Sequence, residues 1–206
     1  MSATPSDLEL LDAWRRGDGR SGELLFRRYF AQLNRFFRNK TDTGAEDLIQ
    51  TTFLACVEGR DRFRESSSFR TYLFGIAHNV LCAHYRRVAR TADFASTSIV
   101  DLGASPSGPL TRRDEHAALL RALRSIPLDY QVMLELSYWE GMKAPEIGEI
   151  LSLPSNTVRS RLSRARAALR EALERGVGTP ELLRSTLADL DGWARSIRAE
   201  LGLAIG

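Results

Sequence analysis

Apolar residues recur every three or four positions along almost the whole chain, and this pattern breaks decisively once. The break is "TADFASTSIVDLGASPSGPLTRR", residues 91–113. It is rich in Ser, Thr, Gly and Pro, and it lacks the apolar content needed to offset its ordering entropy, so it is expected to be a flexible linker. On either side the spacing is that of helices, and no stretch alternates as a strand does. Hydrophobic residues make up 43% of 206, enough for two small cores. The expected fold is therefore all-α: two small helical domains, residues 1–90 and 114–175, joined by the linker. The second is a four-helix helix-turn-helix domain, and residues 176–206 form a helical C-terminal extension.

In the first domain, Ser6 or Asp7 can cap a short helix carrying Leu8, Leu11 and Trp14. "GELLFRRYFAQLNRFFRNK" then places Leu25, Tyr29, Leu33 and Phe36 on one face, with Phe26, Phe30 and Phe37 beside them. This is most simply a core helix. "TGAEDLIQTTFLACVEG" opens with capping-box spacing between Thr43 and Glu46. After a serine run, Phe69, Leu73, Ile76, Val80 and His84 mark one face of a longer helix.

The second domain divides into helices near residues 114–125, 128–138, 144–151 and 155–175, with Pro127 and Gly141 at the first two junctions. The last two are joined by "SLPS", which is helix-turn-helix spacing. Gly148 permits a close crossing, and Ser155 or Asn156 can cap the last helix. Val158, Leu162, Ala165 and Leu169 form its inward stripe. The opposite face carries Arg159, Ser160, Ser163, Arg164 and Ala167. Small residues let such a helix lie close to base edges, while Arg159 and Arg164 can reach guanine or phosphate. Arg161, Arg166 and Arg170 suit backbone phosphates, and the N–H groups of Asn156 and Thr157 offer a further phosphate contact. From Ser152 to Arg170 there is no acid to pair with these arginines, whereas a merely solvated helix mixes signs. This pattern favours DNA binding.

Net charge is +3, so clustering of the arginines matters more than the total. Cys56 and Cys82 sit in apolar helical patterns and are expected as free thiols. His78, His84 and His116 have no ligand-spaced companions, so no metal, catalytic group or cofactor is expected. The N-terminus does not resemble a signal peptide, and no apolar run reaches membrane-spanning length. The expected location is the cytoplasm, without membrane insertion.

Residues 60–90 hold seven arginines and two acids, with Phe63, Phe69, Tyr72, Phe74 and Tyr85 interleaved. Such a mixture either stacks on single-stranded bases or builds a core. Taken with its surroundings, the chain resembles the extracytoplasmic-function sigma factors of bacterial RNA polymerase. The resemblance rests on ordered motifs: "AEDLxQxxF", then "SFRxxLxxIAxN", then a linker, then "TVRSRLxRAR". It implies a non-enzymatic promoter-specificity subunit whose partners are core RNA polymerase, promoter DNA as duplex and melted strand, and an anti-sigma factor. Asp47, Gln50 and Leu54 would then contact polymerase. Phe63, Arg64, Ser67, Arg70, Tyr72, His78, Asn79, Arg86 and Arg87 would recognise and open the minus-ten element. The helix-turn-helix would read the minus-thirty-five element through Asn156, Thr157, Arg159, Ser160, Arg161, Ser163, Arg164 and Arg166.

The chain departs from the family at several points. Tyr72 stands where Trp is common, Gly75 where a basic residue is, and Cys56 again where Trp is. Ser152 takes a turn position usually held by Gly, and Gly44 replaces an acid. The extension carries an apolar stripe, Leu183, Leu187, Leu190, Ala194, Ile197 and Leu201, with mixed charges around it. It is expected to pack on its own chain, with a regulatory cover over a polymerase- or DNA-binding face as the alternative. A dimeric helix-turn-helix regulator that never joins polymerase is the competing function.

Overall fold

The computed structural model describes residues 4–41, 43–63, 67–92 and 112–176. Among them are eight α-helices and no strand: α1 (Asp7–Arg15), α2 (Gly19–Arg38), α3 (Ala45–Gly59), α4 (Phe69–Ala92), α5 (Arg112–Ser125), α6 (Leu128–Tyr138), α7 (Ala144–Leu151) and α8 (Ser155–Gly176). A single 3-10 turn, Arg60–Arg62, follows α3. The helices separate into two compact units, one built from α1–α4 and the other largely from α5–α8. Most of the expected linker and nearly all of the extension lie outside the described residues.

α1 starts with a complete capping box. Ser6 accepts from the Glu9 N–H at 3.3 Å, and Glu9 accepts from the Ser6 N–H at 2.7 Å, an arrangement that contributes about 1 kcal/mol. Donation from the Ser6 N–H, and then from its hydroxyl at 2.8 Å, holds the Glu9 carboxyl below its ordinary range. Leu10, Leu11 and Trp14 bury α1 against α2. Asp7 adds a tie to α2 by accepting from Arg28 and from the Tyr29 hydroxyl. Burial and that carboxylate together push the Tyr29 phenol well up.

α2 buries Leu25, Tyr29, Leu33, Phe36 and Phe37, but Phe30 is 49% exposed. The helix is thus not a wholly internal one. α3 lacks the expected Thr43–Glu46 capping box. Gly44 is the N-cap in a left-handed conformation, φ 77°, and no side chain caps the helix. The left-handed residue changes the direction of entry, and Glu46 pairs instead with Arg38 at 3.4 Å. On α4 the buried stripe is Phe69, Leu73, Ala77 and Leu81, with Phe74. Ile76, Val80 and His84 are only half-buried, because the stripe that meets α2 and α3 is rotated from the expected one.

In the second unit, α8 packs against α5 and α6. Leu119, Leu123, Ile126, Leu134, Trp139, Ala165, Leu169 and Leu173 belong to one core. Buried Gln131 closes the α5–α6 junction by donating to the Ile126 carbonyl at 2.8 Å. All four helices lie within a residue or two of their expected bounds. Among the described residues, both cysteines are unbridged, no group of three or more His, Cys, Asp and Glu is placed to hold a metal ion, and no helix is long and apolar enough to cross a membrane.

Candidate nucleic-acid interface

α4 advances about 100° per residue, so positions seven apart nearly coincide around its axis. Tyr72, Asn79 and Arg86 therefore form one stripe, and Arg90 extends it by a further turn. Asn79, Arg86, Arg87 and Arg90 are exposed, and Tyr72 is half-buried at the other end. An acceptor–donor amide between an aromatic ring and a run of guanidinium groups is suited to an unstacked base and its phosphates. Arg86 and Arg90 lie along the helix: their Nε atoms donate to the carbonyls of Cys82 and Arg86 at 3.3 and 3.4 Å. Arg90 is not among the candidates read from the sequence; its place one turn beyond Arg86, eighteen residues from Tyr72, is the signal for it.

The other candidates in this region are scattered. Phe63 is 7% exposed, with its ring centroid 4.7 Å from Tyr72 and 6.4 Å from Phe69. It supports Tyr72 from the interior and offers no open face to a base. Arg70 lies on the opposite side of α4, where its charge is felt by Tyr29. His78 flanks the stripe, with Nε2 3.4 Å from Cys82 Sγ. Ser67 is half-buried just before the helix, and Ser68 makes the capping bond, accepting from the Thr71 N–H at 3.1 Å. Arg64 lies outside the described residues. Burial raises the Tyr72 phenol, and the neighbouring Cys56 adds to the effect.

On α3, Asp47, Gln50 and Leu54 are all exposed along one face, and Leu54 reaches 58%. The same unit has an apolar groove of about 510 Å3 lined by residues that include Trp14, Phe26, Phe30, Phe53 and Val57. Phe26 and Phe53 stack across it at 4.3 Å. Sequence reasoning assigned Phe26 and Phe30 to the core, because an aromatic at helical spacing usually is. An aromatic on every side of α2 was the sign that one of them must face outward.

α8 carries the basic face. Val158, Ala165 and Leu169 are buried, and Leu162 half-buried. Arg159, Ser160, Ser163, Arg164, Ala167 and Arg170 are exposed away from them, and Arg166 is exposed at the flank. Two arginines are engaged from α6: Arg161 lies 3.9 Å from Asp129, and Arg166 Nη1 is 3.5 Å from the Tyr138 hydroxyl. Asp129 supplies from α6 an acid that the stretch from Ser152 to Arg170 lacks. At the start of α8, Thr157 donates its N–H to Asn156 Oδ1 at 2.8 Å, so this donor is already engaged. Ser160 likewise donates its hydroxyl to the Thr157 carbonyl at 2.9 Å.

The turn that presents α8 is tight. A Cβ on Gly148 would stand 2.5 Å from the Leu153 carbonyl oxygen, and the Leu153 N–H donates to the Gly148 carbonyl at 2.8 Å. Ser152 sits at φ 54°, the left-handed conformation in which a side chain is strained.

Comparison with known proteins matches both units. Residues 25–91 match the family model described as Sigma-70 region 2, and residues 116–169 match Sigma-70, region 4. The chain is 30% identical over 190 residues to the RNA polymerase sigma-H factor of Pseudomonas aeruginosa, covering 84% of this chain and 97% of that one. It is 28% identical to the ECF RNA polymerase sigma-E factor of Escherichia coli, covering 82% and 95%. Among solved structures, it is similar to CnrH in complex with the cytosolic domain of CnrY, with a TM-score of 0.61, 26% identity, and 83% and 99% covered. It is also similar to the sigma factor RpoE of Bartonella quintana in complex with the anti-sigma factor NepR, with a TM-score of 0.60, 26% identity, and 76% and 97% covered.

Proposed function

The chain belongs to the sigma-70 family of RNA polymerase sigma factors, in its extracytoplasmic-function group, and we propose that it uses two separate DNA grips to direct initiation. The family is one of transcription initiation factors. This chain accordingly acts by binding and not as an enzyme, in the cytoplasm, on core RNA polymerase and promoter DNA. The single supporting observation is an exposed arginine face on each of two units that match region 2 and region 4 in order. A dimeric regulator has no place for the first match, so that alternative falls away.

In this proposal residues 1–90 bind polymerase and open the minus-ten element, 91–113 connect the two, and 114–175 grip the minus-thirty-five element. Residues 176–206 belong to neither grip. Asp47, Gln50 and Leu54 meet polymerase. Tyr72, Asn79, Arg86, Arg87 and Arg90 meet the melted strand, with His78 at the edge of the stripe. Phe63 acts beneath Tyr72, and Ser67, Arg64 and Arg70 remain candidates at the margins. On α8, Arg159, Ser160, Ser163 and Arg164 face base edges, and Asn156, Arg161 and Arg166 hold phosphates, while Thr157 spends its N–H on Asn156. Because one solved relative is bound to an anti-sigma factor, an anti-sigma factor is the proposed regulator.

Selection of promoter fragments by the reconstituted holoenzyme tests this division. Two sequence blocks at fixed spacing are expected. Asn79→Ala should relax only the downstream block, and Arg159→Ala only the upstream one. A single palindromic block would overturn the division.

A further inference from the structure

α1 lies outside both matched regions, yet its last residue reaches the 3-10 turn after α3. Arg15 Nε and Nη2 donate to the Arg60 carbonyl at 3.1 and 3.0 Å, and Nη2 also donates to the Phe63 carbonyl. Arg60 opens the 3-10 turn that follows α3 and Phe63 comes directly after it, where backbone acceptors lack helical partners. A planar guanidinium presents several donors to two such acceptors in one fixed fork, which an ammonium lacks. Phe63 is extended at φ −67°, ψ 119°, so the second bond fixes the residue at which the chain leaves the turn. The Phe63 ring supports Tyr72, which heads the α4 stripe. Arg60 in turn places its guanidinium 5.2 Å over the Trp14 ring, which ties the turn to α1 twice.

Docking of α1 does not depend on Arg15. Leu10, Leu11 and Trp14 bury its apolar face, and Asp7 holds its start to α2. Losing the Arg15 bonds would therefore loosen the turn and Phe63 while α1 stays in place. We propose that Arg15 is a positioning residue for strand opening: it holds the Arg60–Phe63 backbone so that Phe63 sets the Tyr72 ring against the minus-ten DNA. This rests on the minus-ten role proposed above for α4.

The test uses full-length holoenzyme carrying Arg15→Ala, Arg15→Lys or Asn79→Ala, on a duplex promoter and on the same promoter premelted across the minus-ten element. Arg15→Ala should bind core polymerase within about twofold of the parent and open the duplex promoter about tenfold more slowly. On the premelted template it should return to within about twofold of the parent, which loss of folded protein would not allow. Arg15→Lys, which retains the charge but not the fork, should be intermediate and covers the case in which the alanine variant folds poorly. Opening of the duplex at the parental rate by both variants would overturn the proposal, as would equal losses on the two templates. If Asn79→Ala leaves base preference at the minus-ten element unchanged, the underlying assignment of α4 fails, whatever Arg15 does.

Discussion

A methyl group added at Gly59 would overlap the Tyr72 hydroxyl: the last residue of α3 lacks a side chain where the half-buried ring of α4 lies over it. The two helices thus meet at the residue that heads the α4 stripe. Gly59→Ala should change stability little. The clash falls on the free end of a side chain, and alanine recovers roughly 0.5–1 kcal/mol over glycine in a helical conformation. Tyr72 must swing away, however, so promoter opening should slow while core binding is kept. Stopped-flow measurement of open-complex formation, beside a urea melt, checks both halves.

The helix-turn-helix turn makes two opposite predictions. Gly148→Ala meets a backbone carbonyl at 2.5 Å and should cost about 1–3 kcal/mol. Ser152→Gly removes a side chain from φ 54° and should gain about 1 kcal/mol. Urea unfolding of the two variants distinguishes them by sign.

A Cβ added at Gly75, within α4, would meet nothing within 4 Å. Gly75→Ala should therefore stabilise the protein by about 1 kcal/mol. Gly75→Lys adds a cation to the Tyr72–Asn79–Arg86 stripe. It should steepen the dependence of promoter binding on log salt by about 1, measured by fluorescence anisotropy.

The arginines of α8 should not be equivalent. Arg159→Ala and Arg164→Ala should each cost about 1–3 kcal/mol where they meet a base, with specificity relaxed there. Arg161→Ala should cost less and act alike on all sequences, since Arg161 also faces Asp129 at 3.9 Å. Titration of matched and mismatched minus-thirty-five duplexes reads the difference.

Cys56 is fully buried, and burial pushes its thiol up to about 12. It should resist alkylation at pH 8 in the folded protein. The native state keeps this proton after the unfolded chain has released it, so stability is complete below the ordinary thiol range. It should then fall as pH rises towards 12, by up to about 1.4 kcal/mol per pH unit from this group. Chemical denaturation between pH 8 and 11 gives the slope.

The helices were legible because 3.6-residue periodicity is a local property, and α5 to α8 lie almost where their apolar stripes and the Pro127 and Gly141 junctions put them. The α8 faces were legible for the same reason: Val158, Ala165 and Leu169 determine which side is inward. What escaped were facts of assembly. Whether Phe30 faces inward depends on how α1 and α3 meet α2. Whether Phe63 is open or buried depends on the return of α4. The Arg15 bonds join residues 45 and 48 positions apart, and no local pattern announces them. Asp129 lies on α6, so a search for acids within α8 could not find it. The capping of α3 failed as an expectation because Gly44 adopts a conformation that Thr43 cannot override.

Every assignment above depends on this chain giving RNA polymerase its promoter. The most direct measurement adds the purified protein to core polymerase and follows run-off transcription on a promoter carrying both selected elements. The prediction is a discrete transcript that depends on the protein and is lost when either Asn79 and Arg86 or Arg159 and Arg164 are replaced by alanine. Binding to the duplex without association with core polymerase, and no transcript on any selected fragment, would contradict it.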